Sequence, residues 1–141
     1  MSLSRNATRP PNLNEAVLDS SAVLALIFNE PGAETVKAAL PDALLSTVNL
    51  AEIITKLVEK GLPAEVARAA VEVLGAEIVD FGIEQAYVTG ELRTATRSAG
   101  LSLGDRACLA LARKKNVPAI TTDRVWGKLT GFDVVVIRGA E

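Results

Sequence analysis

From residue 15 onward the chain alternates between short apolar runs and longer stretches in which apolar residues recur every three or four positions. Runs of the first kind read as buried strands, and stretches of the second kind as helices with one face on a core. Residues 15–19 (EAVLD) predict a first strand, and 20–29 (SSAVLALIFN) a helix halted by the turn EPG at 30–32. A short helix over 33–40 and a break at Pro41 and Asp42 precede a second strand over 43–47. Residues 49–60 form an amphipathic helix closed by Gly61. Pro63 opens a helix over 63–75, residues 76–81 form a third strand, and 83–100 predict one long helix containing Gly90. After a loop at 101–104 come a helix over 105–115, a strand over 117–122, a helical turn over 123–131 and a last strand over 133–137.

Strands that alternate with helices predict a single α/β domain with a central, mainly parallel five-stranded sheet flanked by helices. Ligands of such sheets bind at the carboxyl ends of the strands. Residues 1–14 break the pattern, being polar and carrying Pro10 and Pro11. They read as a flexible leader ahead of a domain spanning 15–141.

Composition narrows the chemistry. A chain of 141 residues, 49% of them hydrophobic, suits one domain with a sizeable core. No apolar stretch approaches the ~20 residues that span a bilayer, and the leader lacks the apolar centre of a secretion signal, so a cytoplasmic protein is expected. The lone Cys108 fits a reducing compartment, and its setting in ACLALA predicts a small buried residue. Fifteen basic against 17 acidic side chains give net charge -2, which leaves no global positive field to attract nucleic acid. The count of 0 histidines removes Ser-His-Asp and Cys-His triads, imidazole acid-base catalysis and the commonest zinc ligand. Hydrolytic chemistry here would rest on carboxylates, with or without a hard metal ion.

Four carboxylates stand at the same kind of junction. Asp19 ends the first strand, Glu52 lies in the first turn of the helix after the second, Asp105 opens the helix after 101–104, and Asp123 ends the fourth strand. Taken singly, each reads as a cap. Asn49 with Glu52 and Ser102 with Asp105 have capping-box spacing, and an acid in a first turn gains roughly 0.3 to 1 kcal/mol from the helix dipole. Gathered at one sheet edge, four acids would repel, and each would resist ionising unless a cation joined them. Magnesium, or manganese with similar preferences, takes one or two carboxylates plus waters and substrate phosphate, and supplies a nucleophilic water.

The segments VLDSSAVLALIFNEPG, STVNLAEIITKL, GLSLGDRACLALA and TTDRVW, in that order, resemble the PIN-domain ribonucleases, most closely the VapC-type toxins of toxin-antitoxin pairs. The resemblance implies a metal-dependent endoribonuclease acting on RNA, with Asp19, Glu52, Asp105 and Asp123 as its acidic quartet. It also implies that the hydroxyls of Ser21 and Thr121 organise the site, and that the chain pairs with itself and with a cognate antitoxin. The helices over 20–28, 33–40 and 49–60 would wall a groove for an antitoxin helix, and an arginine of that partner would sit among the four acids.

Arg106 and Arg124 adjoin two of the acids and are candidates for phosphate contact, although pairing with a neighbouring carboxylate is the plainer role. Arg93 and Arg97, four apart, read as one helix face that either tracks a backbone or is merely solvated. The cations at 113–115 suit a helix C-terminus. Trp126 and Tyr87 are candidates for base stacking, with core packing the plainer reading. Two alternatives remain: another metal-dependent phosphate hydrolase on a similar sheet, and a non-catalytic binding module whose acids are caps. An aspartyl-nucleophile phosphatase usually carries a second Asp two residues after the first, where this chain has Ser21.

Overall fold

A computed structural model of the protein describes residues 15–137; the leader at 1–14 lies outside the described residues. Five short strands, β1 Ala16–Leu18, β2 Ala43–Ser46, β3 Glu77–Val79, β4 Ala119–Thr121 and β5 Val134–Val136, form one sheet in the order β3-β2-β1-β4-β5. All four pairings are parallel. Among the described residues seven α-helices cover it: α1 Ser20–Ile27, α2 Ala33–Ala39, α3 Thr47–Glu59, α4 Ala64–Glu72, α5 Ile83–Glu91, α6 Arg93–Thr96 and α7 Leu103–Lys115. The sequence-predicted architecture is therefore the observed one.

Alternation along the strands divides the core, because successive side chains of a strand point to opposite faces. Ala16, Leu18, Leu45 and Ile120 join Val23 of α1, Val36 of α2, Ile53 and Leu57 of α3 and Val71 of α4 in one cluster. Val17 and Ala119 join Leu92, the inner residues of α7 and Trp126 in the other. Chain progression runs from β1 outward through β2 to β3, then returns to β4 on the other side of β1. The direction reverses between β1 and β4, and such a switch point opens a crevice beyond the strand ends.

Several boundaries differ from the sequence reading. Helix α3 begins at Thr47 behind the N-cap Ser46, whose hydroxyl accepts the Val48 N–H at 3.2 Å. Asn49 is thus a buried residue inside α3 and no cap, and Glu52 sits beyond the first turn. Pro63 holds the N-cap position of α4 rather than its first helical residue. The single helix expected over 83–100 breaks into α5, α6 and a 3-10 turn at Arg97–Ala99, ending on Gly100 at φ +69. Helix α7 starts at Leu103, two residues before Asp105, because Ser102 is the cap. Among the described residues no helix is long and apolar enough to cross a membrane.

Candidate active site

Asp19 follows β1 directly and occupies the N-cap position of α1, yet its side chain caps nothing. It is buried, with 3% of its surface exposed. Oδ2 accepts the Ser21 hydroxyl at 2.6 Å and the Thr121 hydroxyl at 2.9 Å. Those hydroxyls accept in turn the Thr122 and Asp123 N–H groups at 3.0 and 3.1 Å. Each hydroxyl has one proton, and both protons go to Asp19, so the 3.3 Å contact between Ser21 and Thr121 oxygens carries none. The other carboxylate oxygen, Oδ1, is buried without a hydrogen-bond partner.

This environment pushes the Asp19 pKa up from 3.8 to about 6. Burial is the largest cause, the Ser21 and Thr121 hydrogen bonds oppose it, and the charges of Asp105 and Glu52 raise it further. The ionised form is therefore disfavoured by roughly 3 kcal/mol, several times what a helix dipole returns. Capping does not account for such a residue.

Glu52 is held from two helices. Its Oε1 accepts Ser20 Oγ of α1 at 2.9 Å and Asn49 Nδ2 of its own helix at 3.0 Å. The same Asn49 nitrogen donates to the Gly104 carbonyl of α7 at 3.1 Å. The Glu52 carboxylate lies directly over Gly104, with Oε1 only 2.6 Å from where a Cβ would stand. Glycine here makes room for the carboxylate.

Asp105 does form the expected capping box: it accepts the Ser102 N–H at 2.9 Å while Ser102 Oγ accepts the Asp105 N–H at 3.2 Å. Burial raises its pKa, the Ser102 bonds lower it, and the charges of Glu52 and Asp123 raise it again. Asp123 is exposed, and its Oδ1 accepts the Val125 N–H at 3.0 Å. Asp19 thus feels the charges of Asp105 and Glu52, and Asp105 those of Glu52 and Asp123, at the carboxyl edge of the sheet. Beneath them Cys108 is fully buried, and burial, then Asp19, Asp105 and Glu52, drive its thiol pKa well above the ordinary range. That cysteine is an inert core residue.

Among the described residues no group of three or more His, Cys, Asp or Glu side chains is arranged to hold a metal ion. The orphaned Asp19 Oδ1 and the raised pKa values of Asp19 and Asp105 are what a hard divalent cation would relieve, so the all-oxygen donor set fits such an ion.

The basic and aromatic candidates divide. Arg106 turns across to α5, donating to the Thr89 carbonyl at 3.1 Å, rather than pairing with Asp105. Arg124, Arg93 and Arg97 are exposed, the last two on separate short turns because of the break after α5. Trp126 is core, whereas Tyr87 is 64% exposed on α5, against the expectation of packing. Ser20, Asn49 and Gly104 were not singled out from sequence as site residues.

The topology and the acids define a parallel α/β protein with a carboxylate site at its switch point. A family model described as the PIN domain matches residues 16–131, and the chain belongs to the PIN domain family. Among solved structures its fold is similar to that of VapC20 from Mycobacterium tuberculosis, described as a sarcin-ricin loop cleaving toxin: 22% identity, TM-score 0.70, covering 88% of this chain and 99% of that one. VapBC2 from Rickettsia felis, bound to a DNA fragment from its promoter, gives 19% identity and TM-score 0.69 over 87% of this chain and 98% of that one. DNA-bound VapBC from Salmonella typhimurium gives 20% and 0.68 over 86% and 97%. No curated protein sequence matches the chain.

Proposed function

We propose that this protein is a magnesium- or manganese-dependent endoribonuclease of the VapC type, the toxin of a toxin-antitoxin pair. The observation that carries the reading is Asp19: a buried carboxylate at the switch point, taking no part in capping, with one oxygen gripped by Ser21 and Thr121 and the other unpartnered. Family membership and the toxin neighbours support the substrate class.

Asp19, Glu52, Asp105 and Asp123 would hold the cation, which when bound supplies Lewis-acid stabilisation of the phosphodiester and a nucleophilic water at neutral pH. The chain's own groups fix the geometry. Ser21 and Thr121 orient Asp19, Ser20 and Asn49 orient Glu52, and the Ser102 N–H orients Asp105. Arg124, exposed beside Asp123, and Arg106, whose Nη1 donates to the Thr89 carbonyl and ties α7 to α5, are the cations that would meet substrate phosphate.

The partner reading extends the same proposal. A groove of about 710 Å³ runs from Ser20 and Glu52 along α1 and α3, lined by Leu24, Thr55, Lys56 and Leu103. Its sides are α1, α3 and the start of α7, and α2 does not line it. An antitoxin helix lying there would reach the acids, and the toxin would form a homodimer, to be checked by light scattering. The deciding experiment is incubation of purified protein with RNA in magnesium, manganese or chelator, beside Asp19→Asn. Metal-dependent cleavage lost in the variant supports the reading, and equal cleavage in chelator or by the variant refutes it.

A further inference from the structure

We propose that Asn49 is a positioning residue of this site, fixing which oxygen of Glu52 faces the reacting phosphate and tying the helix of Glu52 to the helix of Asp105. The inference rests on the nuclease reading above and deepens it.

The buried stripe of α3 is Asn49, Ile53 and Leu57, four residues apart. Two positions are apolar as the core demands, and the first carries a carboxamide with no exposed surface. A polar group in such a place is retained only where its hydrogen bonds matter, because an apolar side chain of similar shape would fit without desolvation cost. Asn49 has two amide hydrogens, and Nδ2 addresses two acceptors, Glu52 Oε1 at 3.0 Å and the Gly104 carbonyl at 3.1 Å. Both partners accept only, so the orientation of the carboxamide follows from them. Its Oδ1 is left buried and unpartnered. A residue selected for stability alone would not leave that acceptor stranded.

The consequence is geometric. With Oε1 taken by Asn49 and Ser20, Glu52 presents Oε2 over Gly104, one residue from Asp105. Asn49 thereby sets the distance between two acids carried by different helices. Aspartate at 49 would offer no donor to either partner, serine one, and leucine none while also removing the stranded oxygen.

Asn49→Leu separates positioning from structure. The expected result is a melting temperature equal to or above that of the parent, with kcat for RNA cleavage lowered roughly 10- to 100-fold, KM little changed, and weaker manganese binding by calorimetry. Asn49→Ser, with one donor, should fall between. If either folded variant keeps parental kcat and manganese affinity, the inference is overturned, and so it is if kcat falls only in step with the folded fraction. If the parent protein itself neither cleaves RNA nor binds manganese, the nuclease reading fails and takes this inference with it.

Discussion

The Thr121 hydroxyl donates to Asp19 Oδ2 at 2.9 Å across 102 positions of sequence, stitching the end of β4 to the end of β1. Thr121 Oγ1 in turn accepts the Asp123 N–H, so one hydroxyl orients two of the four acids. Thr121→Val keeps the shape and removes that proton. Since hydrogen bonding to the ionised form lowers a carboxyl pKa, its loss should raise the Asp19 pKa beyond about 6. Carboxyl carbon NMR of metal-free protein reads this directly, and a downward shift in the variant would contradict the role given to Thr121.

Asp19→Asn should fold, lose nuclease activity, and stabilise the metal-free protein. The folded pKa of about 6 stands above the ordinary 3.8, so the associated stability is fully present below pH 3.8 and is lost as pH rises through 6. By pH 7.5 the loss approaches roughly 3 kcal/mol, an upper figure that the variant escapes. Denaturant melts at pH 4 and 7.5 in chelator test the sign: the two proteins should converge at the lower pH and separate at the higher. Equal stability at both would mean that Asp19 is not held under strain.

Gly104→Ala isolates the close approach of Glu52. Exchanging glycine for alanine inside a helix ordinarily stabilises by about 1 kcal/mol, but here the new methyl meets the Glu52 carboxylate. The expected outcome is loss of most cleavage without the usual gain in melting temperature. A stabilised, fully active variant would show that Glu52 moves aside freely and that its position is unimportant.

An antitoxin that silences the enzyme through a guanidinium among the acids should compete with metal. Antitoxin affinity measured from zero to saturating magnesium is expected to fall, and replacing the partner's arginines should relieve inhibition. Affinity indifferent to magnesium, with inhibition surviving those replacements, would instead mean occlusion of the groove beside Ser20 and Leu103.

What the sequence disclosed depended on how local the signal was. The period of apolar residues reached every strand and the parallel order of the fold, and Asp19, Glu52, Asp105 and Asp123 stood out because each followed a strand or opened a helix. Asn49 was misjudged for a local reason: its spacing to Glu52 imitates a capping box, while Ser46 three residues earlier is the true cap. Residues 83–100 read as one helix because the break after Glu91 carries no proline, and within that stretch positive φ occurs only at its far end, Gly100. Gly104 had no local signature, since its absent side chain matters only to Glu52, 52 positions upstream. Asp105 is a cap, and in the proposed reading a site residue as well, two roles that spacing alone does not separate.

The switch point between β1 and β4 has a consequence for synthesis. Asp19 leaves the ribosome about a hundred residues before its Thr121 partner and Asp123, and β4 pairs with a strand about a hundred residues older. No fragment ending before β4 possesses the assembled acid edge. On the nuclease reading proposed above, a growing chain would be inert toward RNA until the sheet closes, and the moment of closure would also be the first at which a partner is needed to restrain it.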